Sequence, residues 1–165
     1  MQTFHPYLAA QLLVLIALAN GAPLIAKKIL GNFLAYPLDG GITLRDGVPL
    51  FGPSKTIRGI ASSLVVTALG APLIGLDWTI GLIVAAVAMT GDLFSSFVKR
   101  RMKLRSGSMA LGLDQIPESL LPAIACRWVL PVTLLDIVLV TGLFFAGELI
   151  ASRALYRLNI RDRPY

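Results

Sequence analysis

Apolar residues in this chain come in runs of membrane-crossing length, separated by connections that differ sharply in size and polarity. The first run extends from Tyr7 to Ile25 and closes at Lys27 and Lys28. Asn20-Gly21-Ala22-Pro23 lies in its last third, where Gly and Pro are expected to break the helix and free backbone groups. A polar connection over residues 27–54 follows, in which Pro37-Leu38-Asp39-Gly40-Gly41 and Arg45-Asp46-Gly47 read as turns. A connection this long in so small a chain points to function. The second run reaches from Ser54 to about Leu76, Asp77 and Trp78 mark a short turn, and the third run continues to about Val98. After a loop over residues 99–116 comes a fourth run, Pro117 to Leu130, short and carrying Pro122 and Arg127. The fifth, Val132 to Ser152, ends in the tail RALYRLNIRDRPY.

Composition agrees. The 165 residues are 56% hydrophobic, with a mean hydropathy of +0.76, too apolar for an ordinary soluble domain. The expected fold class is an all-α integral membrane protein of about five transmembrane helices, one domain over residues 1–165. No cleavable signal peptide is expected, because the N-terminal stretch lacks a basic region and a small-residue cleavage site. Cys126 is the sole cysteine, which excludes internal disulfides and Cys-rich metal sites. GAPLI occurs at Gly21–Ile25 and again at Gly70–Ile74, but the flanking residues do not match, so it is read as chance.

The net charge is +6, and its placement is more informative than its size. With five spans, all Lys and Arg except Arg127 fall on one side: in residues 27–58, in residues 99–105, or in the tail through Arg161 and Arg163. This orients the N-terminus outward and the C-terminus inward in the cell (inner) membrane. The long connection and the 99–116 loop then face the cytoplasm, where nucleotides are. Asp92 lies about 10 Å inside the cytoplasmic end of its helix.

The candidate chemistry gathers in Met89–Glu118. Asp92, Ser95, Ser96 and Lys99 fall at i, i+3, i+4 and i+7, one polar stripe on an otherwise apolar helix. A carboxylate at that depth is costly and marks function or pairing. As a structural stripe it would pair Asp92 with Lys99 or Arg127. As a site, Asp92 would bind Mg²⁺, the serines would donate hydrogen bonds and Lys99 would contact phosphate. Asp114, in Gly112-Leu113-Asp114-Gln115, is a second carboxylate placed to fold back on the first; it and Glu118 also suit a helix N-terminus. The Lys99–Arg105 run partly answers to anionic lipid headgroups, with Lys99 and one arginine, nearest the Asp92 face, the better phosphate ligands. Lys55 and Arg58 sit at the start of the second run, where free amides and two cations suit an anion; the spacing around Gly52-Pro53-Ser54-Lys55 fails as a P-loop. Asn20, beside Gly and Pro, is a candidate for the cavity wall. Arg127 is expected to pair with Asp136 across the Pro131 turn or to snorkel outward, and His5 and Cys126 are read as incidental.

Five segments together resemble the CDP-archaeol synthase family of membrane cytidylyltransferases: ANGAP (Ala19–Pro23), PLDGG (Pro37–Gly41), RDGVPLFGPSKTIRG (Arg45–Gly59), GDLFSSFVKRR (Gly91–Arg101) and GLDQ (Gly112–Gln115). The third and fourth are long and specific, and the fourth also looks like the signature of phosphatidate cytidylyltransferases. The resemblance implies transfer of CMP from CTP to a lipid phosphate, with Mg²⁺ as cofactor and release of pyrophosphate. It further implies Asp92 and Asp114 as metal-site acids, Lys99 beside them as a catalytic cation, Lys55, Arg58 and Arg100 on phosphates, and Asn20 in the pocket. The chain departs from the family pattern at Pro117-Glu118, where a second Asp is expected, and at Pro53-Ser54.

The partners expected on this reading are CTP, a lipid phosphate and membrane lipids, with no nucleic acid; a homodimer is compatible with it. Synthesis of a CDP-diacylglycerol from phosphatidate is the nearest alternative, and a small transporter for an anionic solute is the alternative outside enzymology. A phosphotransferase consuming CDP-lipid would need several spaced aspartates on its helices, and a membrane adaptor would leave the Asp92 stripe without a purpose.

Overall fold

The computed structural model describes residues 4–108 and 110–157. It consists of five helices: α1 (Pro6–Leu30), α2 (Ile57–Leu73), α3 (Trp78–Arg101), α4 (Gln115–Cys126) and α5 (Leu134–Arg157). Pro6–Leu30, Trp78–Arg101 and Leu134–Ala154 are long and apolar enough to cross a membrane. The apolar helix α2 is shorter, at 17 residues. At 1.5 Å per residue the 12 residues of α4 cover about 18 Å, short of a bilayer core of about 30 Å. The tail arginines Arg161 and Arg163 lie outside the described residues.

The helix α1 is the hub and packs against each of the other four. Its Leu12, Leu15 and Ile16 are fully buried in a core shared with Val84 of α3, Cys126 of α4 and Val140 of α5. The break expected at Asn20–Pro23 does not occur, and α1 runs through Pro23 to Leu30. Within a helix the proline costs the bond that its N–H would have made to the Ala19 carbonyl, yet the helix continues; Asn20 is held within α1 as well, donating to the Ile16 carbonyl one turn back.

Two close crossings set the depth at which α3 meets its neighbours. At Gly81 a Cβ would lie 2.4 Å from the Thr67 carbonyl oxygen of α2; at Gly91 it would lie 2.5 Å from the Pro117 carbonyl oxygen of α4. Small residues at such points let helix backbones touch, which is the main source of helix association in lipid. The crossing at Gly91 places the first turn of α4 directly against Asp92.

Of the two readings of Arg127, the pair with Asp136 is not formed and the side chain is exposed. Asp136, fully buried, accepts from the His5 backbone N–H at 3.0 Å and from the Thr133 backbone N–H and hydroxyl at 2.9 and 2.7 Å, with His5 Nδ1 3.4 Å away. His5 is therefore a structural tie from the start of α1 to the start of α5. The reason is reach: the carboxylate at the first turn of α5 faces α1.

Candidate active site

The connection between α1 and α2 folds back over the end of α3. Its organiser is Asp39, from the Pro37–Gly41 turn, which accepts backbone N–H bonds from Gly41, Phe51 and Gly52 at 3.1, 2.9 and 3.0 Å. Burial alone would raise the Asp39 pKa, but the amides of Gly52, Phe51 and Gly41 outweigh it and hold the carboxyl below its ordinary value. Arg101, at the end of α3, secures the same loop through Asp46 (2.7 Å) and the carbonyls of Val48 and Pro49 (3.2 and 2.6 Å). So anchored, the loop delivers Ser54, Lys55 and Thr56 to the N-terminus of α2. There the Thr56 hydroxyl accepts from the Gly59 N–H and caps the helix.

A cavity of about 440 Å³ lies between this loop, the second half of α1, the first turn of α2 and the middle of α3, where Met89, Asp92 and Leu93 line it. Lys55 dominates its chemistry. Its ammonium donates to both carboxylate oxygens of Asp92, at 2.5 and 2.6 Å, and each side chain is about one-fifth exposed (21% and 18%). Glu118, from the first turn of α4, brings its carboxyl within hydrogen-bonding reach of Asp92. Burial would lower the Lys55 pKa, but the charges of Asp92, Glu118 and Asp114 prevail and raise it. One lysine thus answers to three acids. The pairing of Asp92 with Lys99 or Arg127 weighed from sequence is replaced by one across 37 residues of chain.

The other sequence-derived candidates divide. Arg58 lines the cavity, but its guanidinium is engaged: Nη1 donates to the Gly31 carbonyl and, at 3.2 Å, to the Phe33 carbonyl, closing the end of α1. Lys99 lies 2.6 Å from Asp114 Oδ1 and donates to the Ser108 carbonyl at 2.8 Å, while Asp114 Oδ2 accepts from the Ala110 N–H at 2.8 Å. That buried pair braces the 105–114 loop behind Asp92, outside the cavity wall. Ser95 donates to the Gly91 carbonyl one turn back, and Ser95 and Ser96 are both buried off the cavity. Arg100 is buried, with no hydrogen-bond partner for its Nε. Asn20 is bonded within α1 and does not line the cavity.

The cavity wall also carries residues that sequence reasoning did not select as site residues: Lys27, Asn32, Thr56 and Ser106. Ser106 donates to the Ser54 hydroxyl at 3.0 Å, joining the two loops at the cavity rim. Lys27 has the one usable signal, falling four residues after Pro23 and so on the same face of α1, which lines the cavity.

The donor set suits Mg²⁺. Asp92 and Glu118 offer hard oxygen ligands side by side, and a cation (the Lys55 ammonium) already occupies both Asp92 oxygens. No cluster of three or more His, Cys, Asp or Glu that would hold a metal alone occurs among the described residues. A dedicated protein cage is not needed for Mg²⁺, which takes one or two carboxylates and fills its shell with water and phosphate oxygens.

Comparison with known proteins follows the same lines. Residues 12–165 match a family model described as CDP-archaeol synthase, CarS-like. The CDP-archaeol synthase of Pyrococcus furiosus is 40% identical over 122 residues, covering 67% of this chain and 70% of that protein. That of Hyperthermus butylicus is 31% identical over 157 residues, covering 89% of each. A solved structure of an intramembrane enzyme for archaeal membrane lipids biosynthesis superposes with a TM-score of 0.69 at 26% identity, covering 84% of this chain and 90% of that one.

Proposed function

The chain belongs to the CDP-archaeol synthase family, and from that premise we propose that it is a CTP-dependent cytidylyltransferase of membrane lipid biosynthesis. It joins CMP from CTP to an isoprenyl-ether glycerol phosphate and releases pyrophosphate. The observation that carries the site assignment is the Lys55–Asp92 pair in the cavity wall, with Glu118 behind it. Acids for a metal and a cation for phosphate meet there, part-way along a membrane-length helix.

The geometry suits this reaction because the nucleophile needs no base. A lipid phosphate oxygen is already anionic at neutral pH, so the work is positioning and neutralisation of charge at the α-phosphorus. Mg²⁺, held by Asp92 and Glu118 with Asp114 supplying charge from behind, would neutralise triphosphate oxygens. Lys55 and Lys27 face the cavity as cations for the remaining phosphate charge. Lys99 and Asp114 act by holding the second loop, and Arg58 acts by fixing the end of α1 against α2. The apolar floor of Pro23, Met89 and Leu93 suits the root of a lipid whose tails remain in the bilayer. We place the cavity on the cytoplasmic face, with the N-terminus outside, on the distribution of Lys and Arg.

The test is pyrophosphate release by the purified protein with CTP and Mg²⁺. The acceptor is a digeranylgeranyl glycerol phosphate in one arm and phosphatidic acid in the other, each beside Asp92→Ala. Release with the ether lipid, lost in the variant, is the expected result. Release with phosphatidic acid alone would move the substrate to an acyl ester, and silence with both from folded protein would overturn the proposal.

A further inference from the structure

The Lys55 ammonium occupies the position from which a divalent ion would take Asp92, since it bridges both carboxylate oxygens. We propose that Lys55 is a resident counter-ion that must leave Asp92 for the metal to bind and that, once displaced, turns into the cavity as a phosphate ligand. The proposal rests on the reading of Asp92 as a metal-site acid.

Three observations support it. The two partners differ in freedom: Asp92 is fixed on α3 beside the backbone contact at Gly91, whereas Lys55 belongs to the loop leading into α2. Only the lysine has a flexible four-carbon stem. Lys55 also lines the cavity, with its side chain about one-fifth exposed, so it has somewhere to go. Finally, the acids are too many for a cavity without a cation. Asp92, Glu118 and Asp114 all bear on Lys55, while Lys99, which also bears on Asp92, is committed to Asp114 and Ser108. A lysine there keeps the acids folded together until the metal takes its place. Metal and nucleotide binding then become coupled: the ion that takes Asp92 releases a cation for the phosphates.

The consequence for variants has opposite signs. A neutral residue at 55 removes the competitor, so it strengthens metal binding while it weakens the hold on nucleotide phosphates. The experiment is titration of Mn²⁺ by electron paramagnetic resonance on the purified full chain, without nucleotide or lipid. Lys55→Gln is expected to bind Mn²⁺ about tenfold or more tightly than wild type, the scale on which one neighbouring cation biases a carboxylate. Lys55→Arg, which keeps the charge, is expected to bind no more tightly than wild type. Equal or weaker binding by Lys55→Gln overturns the proposal. Should Lys55→Gln not fold, the wild-type protein decides. Labelling of Lys55 by a small amine-reactive reagent, read by mass spectrometry, is expected to rise when Mn²⁺ saturates; unchanged labelling overturns the proposal.

None of these measurements contains CTP or lipid. A chain that transfers no CMP but shows the exchange would sink the proposed function alone. A working transferase whose Lys55→Gln form binds Mn²⁺ no better would sink the exchange alone.

Discussion

Gly91→Ala puts one methyl group where the backbone of α4 already stands. The added Cβ would lie 2.5 Å from the Pro117 carbonyl oxygen, 2.7 Å from its carbon and 3.0 Å from the Glu118 nitrogen. Ordinary contacts fall near about 3.5–4.0 Å, so the shortfall is about 1 Å. All three atoms are backbone and no side-chain rotamer relieves them; α4 has to move away from α3. That shift falls on Asp92 and Glu118, each next to a clashing atom. Overpacking of this kind costs about 1–3 kcal/mol, partly offset by the roughly 1 kcal/mol that Ala gains over Gly within a helix. Net stability should therefore fall by only about 0–2 kcal/mol. Activity should fall far more, because a 1 Å displacement of reacting groups costs on the order of 100-fold. The assay is pyrophosphate release together with thermal unfolding in detergent, with two controls. Gly142→Ala, where a Cβ meets nothing within 4 Å, should leave both readings unchanged. Gly81→Ala, which would lie 2.4 Å from the Thr67 carbonyl oxygen, should lower stability comparably but activity less, because it parts α3 from α2 about 15 Å from Gly91. Wild-type turnover from Gly91→Ala would refute the claim that this crossing sets the carboxylates.

Two more expectations concern carboxylates outside the cavity. Asp39→Asn replaces an acceptor of three backbone N–H groups by a side chain that also presents donors, and should loosen the 32–56 loop by about 1–3 kcal/mol, read by amide hydrogen exchange. Because folding depresses the Asp39 pKa, its stabilisation is present above the unfolded value of about 3.9 and is lost as pH falls below it; the variant's loop protection should vary less with pH in that range. Asp136→Ala should lower the unfolding temperature by removing a buried acceptor of His5 and Thr133 bonds, with a loss of about 2–4 kcal/mol, and leave the Michaelis constant for CTP unchanged. A shifted constant would mean that this end of the bundle communicates with the cavity.

What sequence alone revealed follows from the range of the forces involved. Asp92 stood out because one carboxylate in an apolar helix violates the local pattern, and Lys55 and Arg58 stood out as cations at a helix start. The pairings did not follow. Lys55 reaches Asp92 over 37 residues and His5 reaches Asp136 over 131, whereas Lys99 and Arg127 were nearer in sequence. Helical spacing also misled at Ser95 and Ser96, and the Gly-Pro neighbourhood did so at Asn20. Ser95 and Asn20 satisfy themselves on the preceding turn, as hydroxyls and amides do in apolar surroundings, and an i, i+4 bond to backbone is invisible to a pattern of side chains. The shortness of the fourth run was visible, but not its C-terminal end, because apolar residues continue past Cys126 into the turn at Arg127–Leu130.

That the helix touching all the others is α1 has a bearing on how the bundle is put together. Chains are made from the N-terminus, so α1 is in the bilayer before any of its four partners exists. It has to be tolerable to lipid by itself, and its polar inventory suits that interval. Asn20 bonds its own Ile16 carbonyl and needs no neighbour. Gln11 does need one: its amide ends on the Ile74 carbonyl at 2.6 Å, a group supplied only once the second helix has been made and turned back. Until then α1 carries one unsatisfied amide, and the arrival of its neighbour resolves it. The first pairing of the bundle is thereby given a polar reward at a single height, which sets the register of α2 on α1 before the residues of the cavity have been synthesised in full.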